Sequence, residues 1–287
     1  MERINRTFYW MAIPALVLFA IFHTIPLLQG IFYSFTDYRG YGDWTFVGLR
    51  NYLALTVDDR AIKSYLFTFQ FAIVSTILVN VIALAIALGL NSRIRFRNGL
   101  RAIFFIPNVL SIVIVGFIFN YIFAFLLPDL GRSAGVQALA TNILGDPDKA
   151  WLGIVFVSVW QSAAFAIVLY LAGLQTVPAE LLEAASIDGA SAWERFRHIL
   201  FPLIAPFFTI NVVLSMKNFL MAFDQVVALT GGGPGTSTET ISLTIYRGGF
   251  QGSEFAYQSA NAVVFFFVLA AVAIIQLRYL QRREVSA

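Results

Sequence analysis

Six apolar stretches, each long enough to cross a bilayer as a helix, dominate this sequence: roughly 11–33, 66–90, 103–127, 152–174, 203–224 and 256–277. About 20 consecutive apolar residues make a spanning helix, because 1.5 Å of rise per residue must cover the hydrocarbon layer. Inside that layer every backbone polar group needs a partner within its own segment, so helices are the outcome. The expected fold class is therefore all-α integral membrane, with six transmembrane helices in a single domain over 1–287. Inside these limits the only charges are Lys217 and, at the edge, Asp224. Composition agrees: 12% of residues are charged, where a soluble domain carries about a quarter.

Several chemistries are excluded early. The chain has no cysteine, which removes disulfides, thiolate catalysis and Cys-ligated metals. Its two histidines, His23 and His198, lie far apart in sequence, so no His-rich metal site is expected. A net charge of +3 is too small to suggest nucleic-acid binding. No nucleophile–base pair is visible, and Glu180 with Glu183 reads as one face of a helix, so the chain is expected to be non-catalytic.

Six spans place both termini on one side, and the positive-inside bias chooses the cytoplasm. Eleven of the 19 basic residues then face inward: Arg3 and Arg6; Arg93, Arg95, Arg97 and Arg101; Arg195 and Arg197; Arg278, Arg282 and Arg283. The tight cluster RIRFR (93–97) weighs most. The first span, preceded by Arg3 and Arg6, has the look of a signal peptide. Its apolar run is too long for one and no small-x-small site follows, so it is expected to stay as an anchor. The glycine-rich TGGGPGTSTET (230–240) lacks the lysine of a phosphate loop and reads as a turn-forming segment.

Between spans four and five lies EAASIDGASAWERFRHILFP (183–202), too polar to cross and too long for a simple loop. Pro178 suits a first helical turn, and AELLEAASI is rich in helix formers. Asp188-Gly189 supplies a break. Ser191 and Glu194 have capping-box spacing, starting a second helix on which Trp193, Phe196 and Leu200 share a face. Pro202 is expected to close that element and open span five. The stretch therefore encodes helix, sharp turn, helix on the inner side. Two uses remain open: a helix lying on lipid headgroups, or a docking surface for a cytoplasmic protein.

The spacing Glu183-Ala184-Ala185, three residues, Gly189, nine residues, Ile199, one residue, Phe201-Pro202 resembles the EAA signature of type I ABC importer permeases. The family usually has leucine where Phe201 stands. GLRNY (48–52), LQTVP (174–178) and FDQVVALTGGGPGTSTET (223–240) resemble the sugar-transport branch that includes maltose and glycerol-3-phosphate permeases. The resemblance implies a type I importer permease fold in the inner membrane, with 178–202 as the coupling segment. Glu183, Ala184, Ala185, Asp188, Gly189, Ile199 and Pro202 would then contact a separate ATPase, Glu183 pairing with a basic residue there. The implied partners are a second homologous permease, a dimer of ATPase subunits and an extracytoplasmic solute-binding protein received by the outer loops 34–65, 128–151 and 225–255. No cofactor is expected in this chain; ATP and magnesium belong to the ATPase. The implied activity is translocation of a sugar or related polyol by alternating access.

Polar groups inside spans tend to face a bundle interior or a cavity. Candidates for a solute pathway are Asn120, Tyr121, Gln161, Asn211 and Lys217, with Phe123, Trp160 and Phe165 as ring platforms for a sugar's C–H face. Amides both donate to and accept from hydroxyls. Each amide is equally suited to bonding helices together. Lys217 has three uses open to it: snorkelling outward, meeting Asp224 seven residues on, or meeting an anionic solute. An ion-coupled secondary transporter is the rival reading, but such proteins carry mid-membrane acidic or histidine relays, and only Lys217 is present here.

Overall fold

The computed structural model describes residues 6–92 and 95–281. Arg3, Arg93, Arg282 and Arg283 of the orienting set lie outside the described residues. Helix α1 runs over Trp10–Tyr33 and a short α2 over Arg50–Leu55. Then come α3, Asp59–Asn91, α4, Arg97–Val109, and α5, Ile112–Ser133. Helix α6 is Ala150–Gln175, α7 Ala179–Ile187, and α8 Ala192–Leu220. Short α9, Asp224–Leu229, and α10, Ile241–Tyr246, precede α11, Phe255–Leu280. Six of these (α1, α3, α5, α6, α8, α11) are long and apolar enough to cross a membrane.

The third apolar run differs from expectation. Instead of one helix over 103–127 it is two, α4 and α5, separated by Leu110 (ψ 139°) and Ser111 (ψ 131°) in extended conformation. Gln161 Nε2 of α6 donates to the Leu110 carbonyl at 3.0 Å and to the Pro107 carbonyl at 3.4 Å. A neighbouring side chain thus replaces the helical partners that the break removes. Such replacement is the condition for irregular backbone at membrane depth.

Three of the prolines inside spans follow a pattern. Wide π-helical turns occupy Ala20–Thr24, Ile122–Leu126 and Phe196–Leu200. Each is followed two residues later by a proline: Pro26, Pro128 and Pro202. Proline lacks an N–H and its ring crowds the carbonyl four residues back. Those carbonyls, on Phe22, Ala124 and His198, all fall inside the widened turns, so the helix absorbs the ring without breaking. Pro202 therefore does not close the 178–202 element. Helix α8 runs without interruption from Ala192 through Pro202 to Leu220.

Where the sequence reads as one domain, the chain divides into two compact units: Met1–Ile62 with Thr244–Phe267, and Lys63–Leu243 with Val268–Ala287. In the first, the segment after α1 is tied by side chains. Asn51 Nδ2 donates to the carbonyls of Ser34 (2.8 Å) and Thr36 (2.7 Å), and Thr36 bridges Phe46. Tyr257 donates its hydroxyl to Asp58 at 2.5 Å.

In the second unit α6 is the central helix. Val157, Ile154 and Tyr170 on it are fully buried. Small residues permit the closeness: a Cβ at Gly173 would fall 2.6 Å from Cγ of Phe207, and one at Gly153 would fall 2.7 Å from Cδ2 of Leu144. Tyr170 donates its hydroxyl to Asn80 Oδ1 of α3 at 2.6 Å. Phe71 of α3 meets Phe219 of α8 edge-on.

Candidate functional site

Apart from Pro202, the segment 178–202 folds as its residues predict. Helix α7 ends in a Schellman turn: Gly189 takes φ +84°, Ala190 N–H donates to Ala185 C=O at 2.9 Å and Gly189 N–H to Ser186 C=O at 3.2 Å. Only a residue without Cβ adopts that φ cheaply, and the two bonds satisfy carbonyls the helix end would leave open. Ser191 then starts α8 with a complete capping box. Its N–H donates to Glu194 Oε2 at 2.7 Å, and Glu194 N–H donates to Ser191 Oγ at 3.3 Å. Arg195 straps the turn shut, Nη1 donating to Ser186 Oγ (2.5 Å) and Ala190 C=O (3.3 Å).

Two faces result. Trp193, Phe196 and Leu200 line a cavity of about 970 Å³ whose other wall is Val81, Leu84, Ala85 and Leu88 of α3. Ala184, Ile187, Asp188 and Gly189 are exposed on α7 and its turn, and Glu183 is exposed while also lining that cavity. Neither Glu183 nor Asp188 has an ion-pair partner among the described residues. Ile199 and Pro202 are half-buried on α8. Helix α8 joins the strapped turn to the spanning segment without a break, through the widened turn at Phe196–Leu200.

A second cavity, of about 840 Å³, lies at the break between α4 and α5. Its walls include Asn108 and Ser111 beside the break, Gln161, Ser162 and Phe165 of α6, Asn211, Ser215, Lys217 and Asn218 of α8, and Asp224 and Gln225 of α9. A chain of amides stiffens it. Ser158 Oγ donates to Gln225 Oε1 at 2.8 Å, Gln225 Nε2 donates to Gln161 Oε1 at 3.1 Å, and Gln161 holds the break. Asn211 Nδ2 donates to Ala166 C=O at 3.3 Å, and Ser215 Oγ to Asn211 C=O at 2.6 Å. Lys217 and Asp224 both line the cavity, and neither has a side-chain partner among the described residues. One offers only donors and the other only acceptors.

The structure thus brings Gln161, Phe165, Asn211 and Lys217 together and places the other pathway candidates elsewhere. Asn120 Nδ2 donates to Leu229 C=O at 2.6 Å, bonding α5 to α9. Phe123 is buried against Phe119 and Phe156. Tyr121 is 62% exposed beside Phe125. Trp160 lines a different, wholly apolar cavity. Asn108, Ser111 and Gln225 were not read as pathway residues. The signal for the first two was the cluster of turn formers, Pro107, Asn108 and Ser111, inside an apolar run.

Comparison with known proteins follows the same lines. Residues 80–285 match the family described as binding-protein-dependent transport system inner membrane component. A probable starch degradation products transport system permease protein of Thermoanaerobacterium thermosulfurigenes is 36% identical over 98% of this chain and 97% of its own. A multiple sugar-binding transport system permease protein of Streptococcus mutans is 36% identical over 98% of both chains. The crystal structure of a bacterial alginate ABC transporter, in complex with an alginate pentasaccharide-bound periplasmic protein, contains a chain of the same fold. Its TM-score is 0.85 over 98% of both chains, at 22% identity.

Proposed function

The chain belongs to the family of binding-protein-dependent transport system inner membrane components, and on that premise we propose that it is one of two permease subunits of an ATP-driven importer for a sugar or related polyol. The observation that carries this reading is the strapped turn at 186–195 in one helix with a membrane span. A docked ATPase dimer would grip the exposed face of α7 at Glu183, Asp188 and Gly189. Closure of the dimer would move the turn, and α8 would carry the movement to the wall of the 840 Å³ cavity. The amides there, with Lys217 and Asp224, suit a ligand that donates and accepts through many hydroxyls. The sugar-transport names of the two relatives support that choice of solute.

ATP and magnesium would bind the ATPase and not this chain. A second permease would complete the bundle, a solute-binding protein would deliver the solute outside, and both termini would lie in the cytoplasm. The test is co-purification of the ATPase with the chain. Glu183→Lys and Gly189→Pro are expected to lose the ATPase while the permease remains in the membrane. Retention of the ATPase by both variants would overturn the coupling reading, and uptake that ionophores abolish while ATP depletion does not would replace it with the ion-coupled one. Lys217→Met is expected to cut uptake at normal expression, and unchanged uptake would return Lys217 to an outward-reaching role.

A further inference from the structure

Arg101 is the feature that transport does not use. It lies in the second turn of α4, and its Nε is buried without a hydrogen-bond partner. No ion pair or hydrogen bond is made by its guanidinium among the described residues. Arg101 is half-buried, but its Nε–H is a donor withdrawn from water without an acceptor, which an anion at this end of the helix would supply. The cavity beside it, of about 270 Å³, is lined by Arg101 and Gln175 at one end and by Phe104, Ala164 and Ile167 along its length. Among the described residues, no acidic one lines it. Arg97, one turn earlier, shares the Arg101 face of α4.

Phe104, Ala164 and Ile167 also wall a second cavity of about 690 Å³, bounded further by Leu78, Ile82 and Ile103. Among the described residues, no charged one lines that cavity. The two cavities adjoin across those three side chains, the first with polar donors at one end and the second walled by apolar and aromatic side chains. From Gln175 to Ala164 is eleven residues of helix, about 17 Å, close to the roughly 15 Å depth of one leaflet's hydrocarbon. The donor end is the arginine-rich end of α4, which the positive-inside bias puts at the inner leaflet.

We propose that this pair of cavities is a binding site for one anionic phospholipid, its phosphate held by Arg101 and Gln175 and an acyl chain lying along Phe104, Ile167 and Ala164 into the apolar cavity. Basic pockets between spans on the cytoplasmic side suit such headgroups. The unpaired Nε–H of Arg101 suits an anion, and the adjoining apolar cavity suits a hydrocarbon chain attached to it. Free phosphate meets only the first condition, and an apolar helix of a partner meets only the second.

The test uses the intact transporter complex in detergent, given phosphatidylglycerol and examined by native mass spectrometry. The wild type is expected to retain the lipid, Arg101→Gln to retain about tenfold less, and Arg101→Lys to fall between them. Inorganic phosphate at millimolar concentration is expected not to displace the lipid. Equal retention by wild type and Arg101→Gln, or displacement by phosphate alone, would overturn the proposal. A photoreactive benzoylphenylalanine at position 104 keeps Arg101 intact and guards against a variant that does not assemble. It is expected to cross-link to lipid, and cross-linking to a second protein subunit instead would overturn the proposal equally.

Discussion

Helices α1 and α6 have the same mean hydropathy, 2.1, yet α6 buries 61% of its most apolar window within the chain and α1 buries none of its own. Apolarity alone therefore commits a segment to the membrane without saying what it touches there. Lipid tails are as apolar as leucine, so helix contact depends on close fit and on hydrogen bonds. Helix α6 supplies both: Gly153, Gly173, Ala163, Ala164 and Ala166 let neighbours approach, and Ser158, Gln161 and Tyr170 bond to them. Helix α1 presents Trp10, Met11, Leu16, Phe19, Phe22 and Leu28 outward. Its tertiary anchors lie in the segment that follows it, at Asp37 and Asn51.

That contrast can be broken most directly at its glycines. Gly173→Val forces a branched side chain into the ring of Phe207, whose near atoms cannot swing aside. A loss of about 1–3 kcal/mol is expected, as for overpacked cores. Gly30→Val in α1 meets nothing within 4 Å and is expected to be neutral. Thermal unfolding of the detergent-solubilised complex, followed by loss of the monodisperse chromatographic peak, compares the two. Equal sensitivity would show that α1 is as tightly packed in the assembly as α6 is within the chain.

A smaller effect is expected from polar bonds. Tyr170→Phe removes the 2.6 Å bond to Asn80 and is expected to lower stability by about 0.6–1.7 kcal/mol, the range for such bonds in membranes. His23→Phe in α1, where the ring only leans on Phe19, is expected to leave the same melting measurement unmoved.

The smallest effect concerns the anchor behind α1. The Asp37 carboxylate accepts the Thr45 backbone N–H at 2.6 Å and its hydroxyl at 2.7 Å, which hold its pKa below the usual value of 3.8. A depressed folded pKa means that the bond's stabilisation is full above the unfolded value and is lost as pH falls through the folded one. Trp44 fluorescence is therefore expected to stay constant down to about pH 4 and to change below it. Thr45→Ala removes the hydroxyl bond and leaves the backbone N–H bond, so it is expected to shift that acid transition to higher pH. A transition identical in wild type and variant would assign the acid sensitivity to another group.

Much of the 178–202 segment was legible in the sequence because its determinants are local. Gly189 needs positive φ, and Ser191 and Glu194 sit three residues apart; neither depends on a distant partner. The one local expectation that differed was at Pro202. A proline ordinarily ends a helix, and here the widened turn at Phe196–Leu200 accommodates it. That turn is a property of several residues acting together and leaves no mark in composition.

The cavity was legible only in part. Gln161, Asn211 and Lys217 were visible as polar residues in apolar runs, but so was Asn120, which bonds α5 to α9 instead. An amide looks the same in a sequence whether its partner is a carbonyl or a solute. What separates the two roles is the distance to a group many positions away, such as Gln161 to Leu110 or Gln225 to Gln161. The sequence by itself determined the number of spans and the build of the strapped turn, since apolar length and turn chemistry act over a few residues. Tertiary structure alone decided that the third span is broken, that α6 is central and which polar groups share a cavity. Those outcomes depend on close approach and hydrogen bonding between helices far apart in the chain.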